Sequence, residues 1–117
     1  MKNRFLYYLA GIITIVAIAC SKGTSGMVAS VDCSGGTKSF MTDVSPIIQS
    51  TCATGSNCHA AGSNNGPGPL TTYQQVVNAR ASIRSAVING TMPKDGRLSA
   101  SQINVIVCWI DNGAANN

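Results

Sequence analysis

What the chain lacks narrows it first. It has no Glu, a single His and four Asp, and charged residues fill only 10% of its 117 positions, against about a quarter in ordinary domains. So few charges argue against a coiled coil, a solenoid or a polybasic nucleic-acid binder. No Ser-His-Asp set, carboxylate pair or phosphate-cradling loop is available, so catalysis by the polypeptide itself is not expected. Strict apolar/polar alternation persists nowhere, and no Asn-Gly or Asp-Gly pair stands between two β-rich runs, so strands are not expected. Even the net charge of +4 is thin: Lys2 and Arg4 lie at the extreme start, and without them six basic residues face four acidic ones. What the chain does have is five cysteines in one domain's length.

The start is an address. Met1 to Arg4 is short and basic, and Phe5 to Ala19 follows as fifteen residues without a charge, ending in small side chains before Cys20. That order describes an export signal over residues 1–19. The run is shorter than the roughly 20 apolar residues an uncleaved membrane span needs. Ala17-Ile18-Ala19-Cys20 resembles the lipobox of bacterial lipoproteins, which makes Cys20 the expected lipidation site, although Ala17 stands where Leu is more usual. The expected location is therefore outside the cytoplasm, lipid-anchored to a bacterial membrane and facing periplasm or cell exterior. Residues 20–38 are rich in Gly, Ser and Thr with no periodicity, which fits a flexible tether. Export also means an oxidising compartment, where cysteines form disulfides or hold a cofactor.

Residues 39–117 read as one small all-α domain of three to four short helices. Asp43 or Ser45 can cap a first helix that tolerates Pro46 in its opening turn, with Val44, Ile47, Ile48 and Thr51 on one face running into Cys52. A longer segment from Thr71 to Asn89 has helical spacing with a break near Ala79, and Gly90 and Pro93 end it. In the last helix Ser99 and Gln102 form a capping box ahead of the Ile103, Ile106, Val107, Ile110 stripe, and Gly113 closes it. Gly55 to Pro69 is loop. A core this small calls for a staple or a cofactor.

Cys52-Ala53-Thr54-Gly55-Ser56-Asn57-Cys58-His59 is the stretch that carries chemistry. A c-type haem is held when two thiols add to its vinyl groups and the His after the second Cys ligates iron, usually with two residues between the cysteines. Here there are five, so three turn-prone residues, Gly55, Ser56 and Asn57, must bulge outward. Two other readings stay open at this point. One is a Cys52–Cys58 disulfide beside an exposed His. The other is a Zn site drawn from Cys33, Cys52, Cys58 and either Cys108 or His59, although paired C-x-x-C knuckles are absent.

From about Ser39 to Ala115 the chain resembles a single-haem class I c-type cytochrome of the kind found in bacterial lipoproteins. The resemblance rests on a helix ending in Cys52, on Cys58-His59, on Gly68-Pro69-Leu70, on Gly90-Thr91-Met92-Pro93, and on a last helix containing Trp109 before Gly113-Ala114. It implies a small cytochrome c-like bundle around one haem c, bound covalently by Cys52 and Cys58. It implies His59 as proximal and Met92 as distal iron ligand, with Pro69 and Leu70 packing on the ring. The ligand count agrees, because His59 is the only histidine, and the other candidate sulfurs, Met27 and Met41, lie in the tether and ahead of the first helix. Thioether is one of the few standard axial choices. Counted this way, Cys33 and Cys108 remain, and an even remainder after export points to a disulfide. Arg80 and Arg84, one turn apart, suit haem propionates or a solvated face equally; Tyr73 and Trp109 suit haem contact or ordinary core.

The expected function is electron transfer to and from redox protein partners, at a membrane reached through the lipid anchor, with no nucleic acid and no small-molecule substrate. Two other classes remain: a haem enzyme or gas sensor whose sixth ligand is displaced, and a haem-free, disulfide-stapled structural or binding lipoprotein.

Overall fold

The structure, a computed structural model, describes residues 30–117; the export signal, Cys20 and Met27 lie outside the described residues. The described residues are helical, with no strand among them. A π-helical turn over Phe40–Val44 runs directly into α1, Ser45–Thr51; α2 spans Tyr73–Asn78, α3 Arg80–Asn89 and α4 Ala100–Asp111.

The first helical stretch starts earlier than its proline indicates. Ser39, not Asp43 or Ser45, is the cap: its hydroxyl accepts from the Thr42 amide, and its own amide donates to Asp43 Oδ2 at 2.7 Å. Pro46 follows the widened turn, where the Ser45 amide reaches back five residues to the Phe40 carbonyl. In a tight α-helix the proline ring would clash with the carbonyl four residues earlier, so the local widening has an identifiable cause. Two other amides of this terminus are satisfied from far away in sequence. Phe40 donates to Asn117 Oδ1 at 3.0 Å and Met41 to the Asn117 backbone oxygen at 2.9 Å.

Thr72 caps α2 with a full capping box through Gln75, and Ser99 does the same for α4 through Gln102. Between α2 and α3 the chain bends at Ala79, and the Arg80 guanidinium caps the α2 carbonyl of Val77 at 2.7 Å. Both α3 and α4 close on a glycine turned left-handed. At Gly90 (φ 66°) the amides of Gly90 and Thr91 donate to Val87 and Ala86, and at Gly113 the amides of Gly113 and Ala114 donate to Ile110 and Trp109. These are two Schellman closures.

The core sits where α4 crosses the first helical stretch. Val44, Ile48, Val76, Ile106, Val107 and Trp109 are almost wholly withdrawn from solvent. Phe40, Tyr73 and Trp109 form one aromatic cluster, with Phe40 centroids 5.1 Å from Tyr73 and 5.4 Å from Trp109. The polar tips find partners at the chain's end: Tyr73 Oη donates to the Ala114 carbonyl at 2.9 Å and Trp109 Nε1 to that of Ala115 at 2.8 Å. Tyr73 and Trp109 are therefore core residues, held as buried amphipathic aromatics usually are.

The Cys33–Cys108 disulfide is present, with Cα atoms 5.4 Å apart and a sequence separation of 75 between the two cysteines. Val31 packs against the core and the Asp32 amide donates to Asn104 Oδ1 at 3.2 Å, so the end of the expected tether is pinned to α4.

Candidate functional site

The site is built from loops that the helices hold in place. α1 delivers Cys52 at its C-terminus, where the Cys52 amide still bonds to Ile48 at 2.9 Å. The chain then swings out through Gly55 and returns, and the His59 amide donates to the Cys52 carbonyl at 3.0 Å. That single bond closes the long Cys-to-Cys spacing, with Gly55 to Asn57 looped outside it. Inside the bulge the Cys58 and Ala60 amides both donate to the Gly55 carbonyl, and Asn65 Nδ2 donates to the Asn57 carbonyl at 2.7 Å. Ser63, buried, donates to the Cys58 carbonyl and accepts from the Asn65 amide. The excursion is an internally bonded loop with its polar backbone satisfied.

His59 is buried, 8% exposed, and its Nδ1 lies 2.9 Å from the Gly68 carbonyl. A carbonyl only accepts, so Nδ1 carries the proton and Nε2 is the nitrogen with the free lone pair, the arrangement a metal-ligating imidazole uses. Gly68 sits at φ 98°, a region that disfavours side chains, which is how its carbonyl reaches the ring. Leu70 is buried and its amide donates to the His59 carbonyl at 2.8 Å, while Gln49 Nε2 holds the Leu70 carbonyl from α1. The Gly68 and Leu70 backbone thus holds His59 from one side; the Leu70 side chain lies in the hydrophobic core.

A cavity of about 680 Å³ opens beside these groups. Two chain segments line it, 51–66 and 92–102. The first brings Cys52, Cys58 and His59, and the second brings Met92, Pro93, Lys94, Arg97 and Leu98. The volume falls within the roughly 300–1,000 Å³ typical of ligand and cofactor sites. Met92 is half-buried on the loop between the α3 closure and Pro93, whereas Met41 is 73% exposed on the first helical turn and takes no part. Pro69 and Leu70 stand behind His59 and are not among the lining residues.

Both Cys52 and Cys58 are free thiols. The Cys52–Cys58 disulfide that the sequence left open is not formed, and a Zn site using Cys33 or Cys108 has lost those ligands to the disulfide. Among the described residues no three His, Cys, Asp or Glu side chains stand close enough to share a metal ion. Burial pushes the Cys52 thiol above its ordinary pKa; the nearby Cys58 pushes the same way, and a Thr51 hydrogen bond opposes both. The shift disfavours the thiolate of Cys52, and so disfavours its use as a thiolate metal ligand.

Arg80 and Arg84 do not line the cavity. Arg80 is spent on the Val77 carbonyl, and Arg84 forms a two-pronged pair with Asp111 at 2.7 and 2.9 Å, on the surface between α3 and α4. The cationic side chains at the cavity are Lys94 and Arg97. Both lie in the loop that follows Met92-Pro93, three residues apart. No helix of the described residues is long and apolar enough to cross a membrane. Comparison of the chain with protein-family models, curated proteins and solved structures finds no match.

Proposed function

We propose that this chain is an electron-transfer c-type cytochrome: a small cytochrome c-like bundle holding one haem c through Cys52 and Cys58. In this reading His59 and Met92 ligate the iron, and a lipid on Cys20 tethers the domain to a membrane for exchange with redox protein partners. One observation carries it. Both free thiols, the only histidine and Met92 border the same cavity, although they come from segments more than thirty residues apart.

The donor set fits the group. Two free thiols suit two thioether bonds, and an imidazole with Nδ1–H fixed and Nε2 free suits a proximal ligand. When bound, haem supplies a one-electron couple at its iron. The chain's part is to position and to exclude water. The Gly68 carbonyl sets the His59 ring, Pro93 stiffens the loop presenting the Met92 thioether, and Leu98 gives the cavity an apolar wall. With His59 and Met92 both holding the iron, the group would offer no open position to a substrate and would have a higher potential than one held by two histidines.

The test is the absorption spectrum of the protein matured with haem. A sulfur-to-iron charge-transfer band in the oxidised protein, lost in Met92→Ala, is the expected result. High-spin bands in the unmutated protein would favour a haem enzyme or gas sensor with an open sixth position. An unchanged spectrum in Met92→Ala would remove Met92 as ligand.

A further inference from the structure

Arg97 brings a guanidinium to the cavity, exposed on the loop that follows Pro93. It lies across the left-handed glycine that ends α3, and a Cβ built on Gly90 would fall inside the Arg97 guanidinium. Gly90 is thus required twice, for its positive φ and for the room it leaves. The C-terminal end of a helix carries partial negative charge, which favours a guanidinium resting there. Yet the one ion pair among the described residues is Arg84–Asp111, so Arg97 has no carboxylate partner in the protein. Three charged side chains border the cavity, Lys94, Asp95 and Arg97, and their balance is positive. All three are exposed on the same loop.

We infer that Arg97 is the anion-binding residue of this cavity and takes a carboxylate of the bound tetrapyrrole. The inference rests on the haem reading and adds a recognition element to it. A guanidinium offers a planar fork matched to a carboxylate, and that rigid plane loses less freedom per hydrogen bond than the ammonium of the neighbouring lysine does. The role the sequence offered to Arg80 and Arg84 therefore moves to a residue outside both helices.

The test titrates the full chain, purified without porphyrin, with metal-free protoporphyrin IX and with its dimethyl ester. Charge-assisted hydrogen bonds at such a site correspond to about a tenfold preference for the diacid. Arg97→Gln should abolish that preference, Arg97→Lys should keep part of it, and Lys94→Gln should leave most of it. A preference undiminished in Arg97→Gln overturns the inference. So does equal binding of the two porphyrins by the unmutated chain, which leaves the haem reading intact. Binding of neither, from a chain that also matures without colour, refutes the haem reading and this inference together. Should the porphyrin-free chain not fold, the haem-loaded variants decide: Arg97→Gln should lower the reduction potential and Arg97→Lys recover most of it. An unchanged potential in Arg97→Gln counts against the inference.

Discussion

The two ends of this small domain are built on opposite plans. Around Trp109 every polar tip is satisfied within the protein: indole and phenol donate to carbonyls of the C-terminal segment, and a disulfide ties residue 33 to α4. Around His59 the backbone is equally well satisfied, but the side chains are not. Two thiols, a thioether and a guanidinium border one cavity with no protein partner of opposite charge or bonded sulfur. Helices close the first region; loops close the second. The contrast separates what keeps the chain folded from what the chain is folded to hold.

Changes in the core should break that contrast most severely. Trp109→Ala removes the largest fully buried side chain and should cost about 3–5 kcal/mol, a large share of a small domain's stability. Urea titration of the porphyrin-free chain reads this as a lowered midpoint. Cys58→Ala, half-buried at the cavity, should move the same midpoint by no more than about 0.5 kcal/mol. Comparable losses in the two variants would mean that the cavity wall is ordinary core.

Next in size is the disulfide. Replacing Cys33 and Cys108 with Ser frees a loop of 75 residues and should cost about 2–4 kcal/mol in the chain-entropy picture. Thermal melting of the double variant checks this, and Cys52 and Cys58 should remain as reactive in it as in the parent. A change in their reactivity would show that the two regions are coupled.

The smallest effect belongs to the surface pair of α3 and α4. Its hydrogen bond with Arg84 holds the Asp111 carboxyl below the ordinary value of 3.8. A folded-state pKa below the unfolded one contributes stability that is present above the unfolded value and is lost as pH falls through the folded value. Arg84→Gln should therefore lower the melting temperature slightly at neutral pH, and the difference should shrink as pH falls below 3.8 and vanish only beneath the lower, folded-state value. Both side chains are largely exposed, so the effect is small and fades with added salt.

The two regions also differ in how much of them the sequence declares. The α4 capping box, the α4 stripe and the closures at Gly90 and Gly113 are local patterns, and each was legible residue by residue, whereas the Thr72–Gln75 box of α2 was not read. The break at Ala79 showed in the spacing. The start of the first helix did not, because Pro46 marks an N-terminus in isolation, while here a widened turn carries the helix past it and Asn117 completes the cap from 77 residues away. In the cavity, Cys58-His59 was legible through adjacency and Met92 through its loop. Arg97 was not, since its contact with Gly90 is purely tertiary. Arg84 stayed open between haem propionates and a solvated face, because its partner lies 27 residues downstream on another helix.

The central claim concerns two sulfurs and is tested by counting them. The full chain, exported from a host competent in haem attachment, is denatured and assayed for pyridine haemochrome and for thiols open to alkylation. The account predicts one haem that stays with the polypeptide through denaturation, and neither Cys52 nor Cys58 open to alkylation. A colourless polypeptide in which Cys52 and Cys58 both alkylate, or are joined to each other, would contradict it.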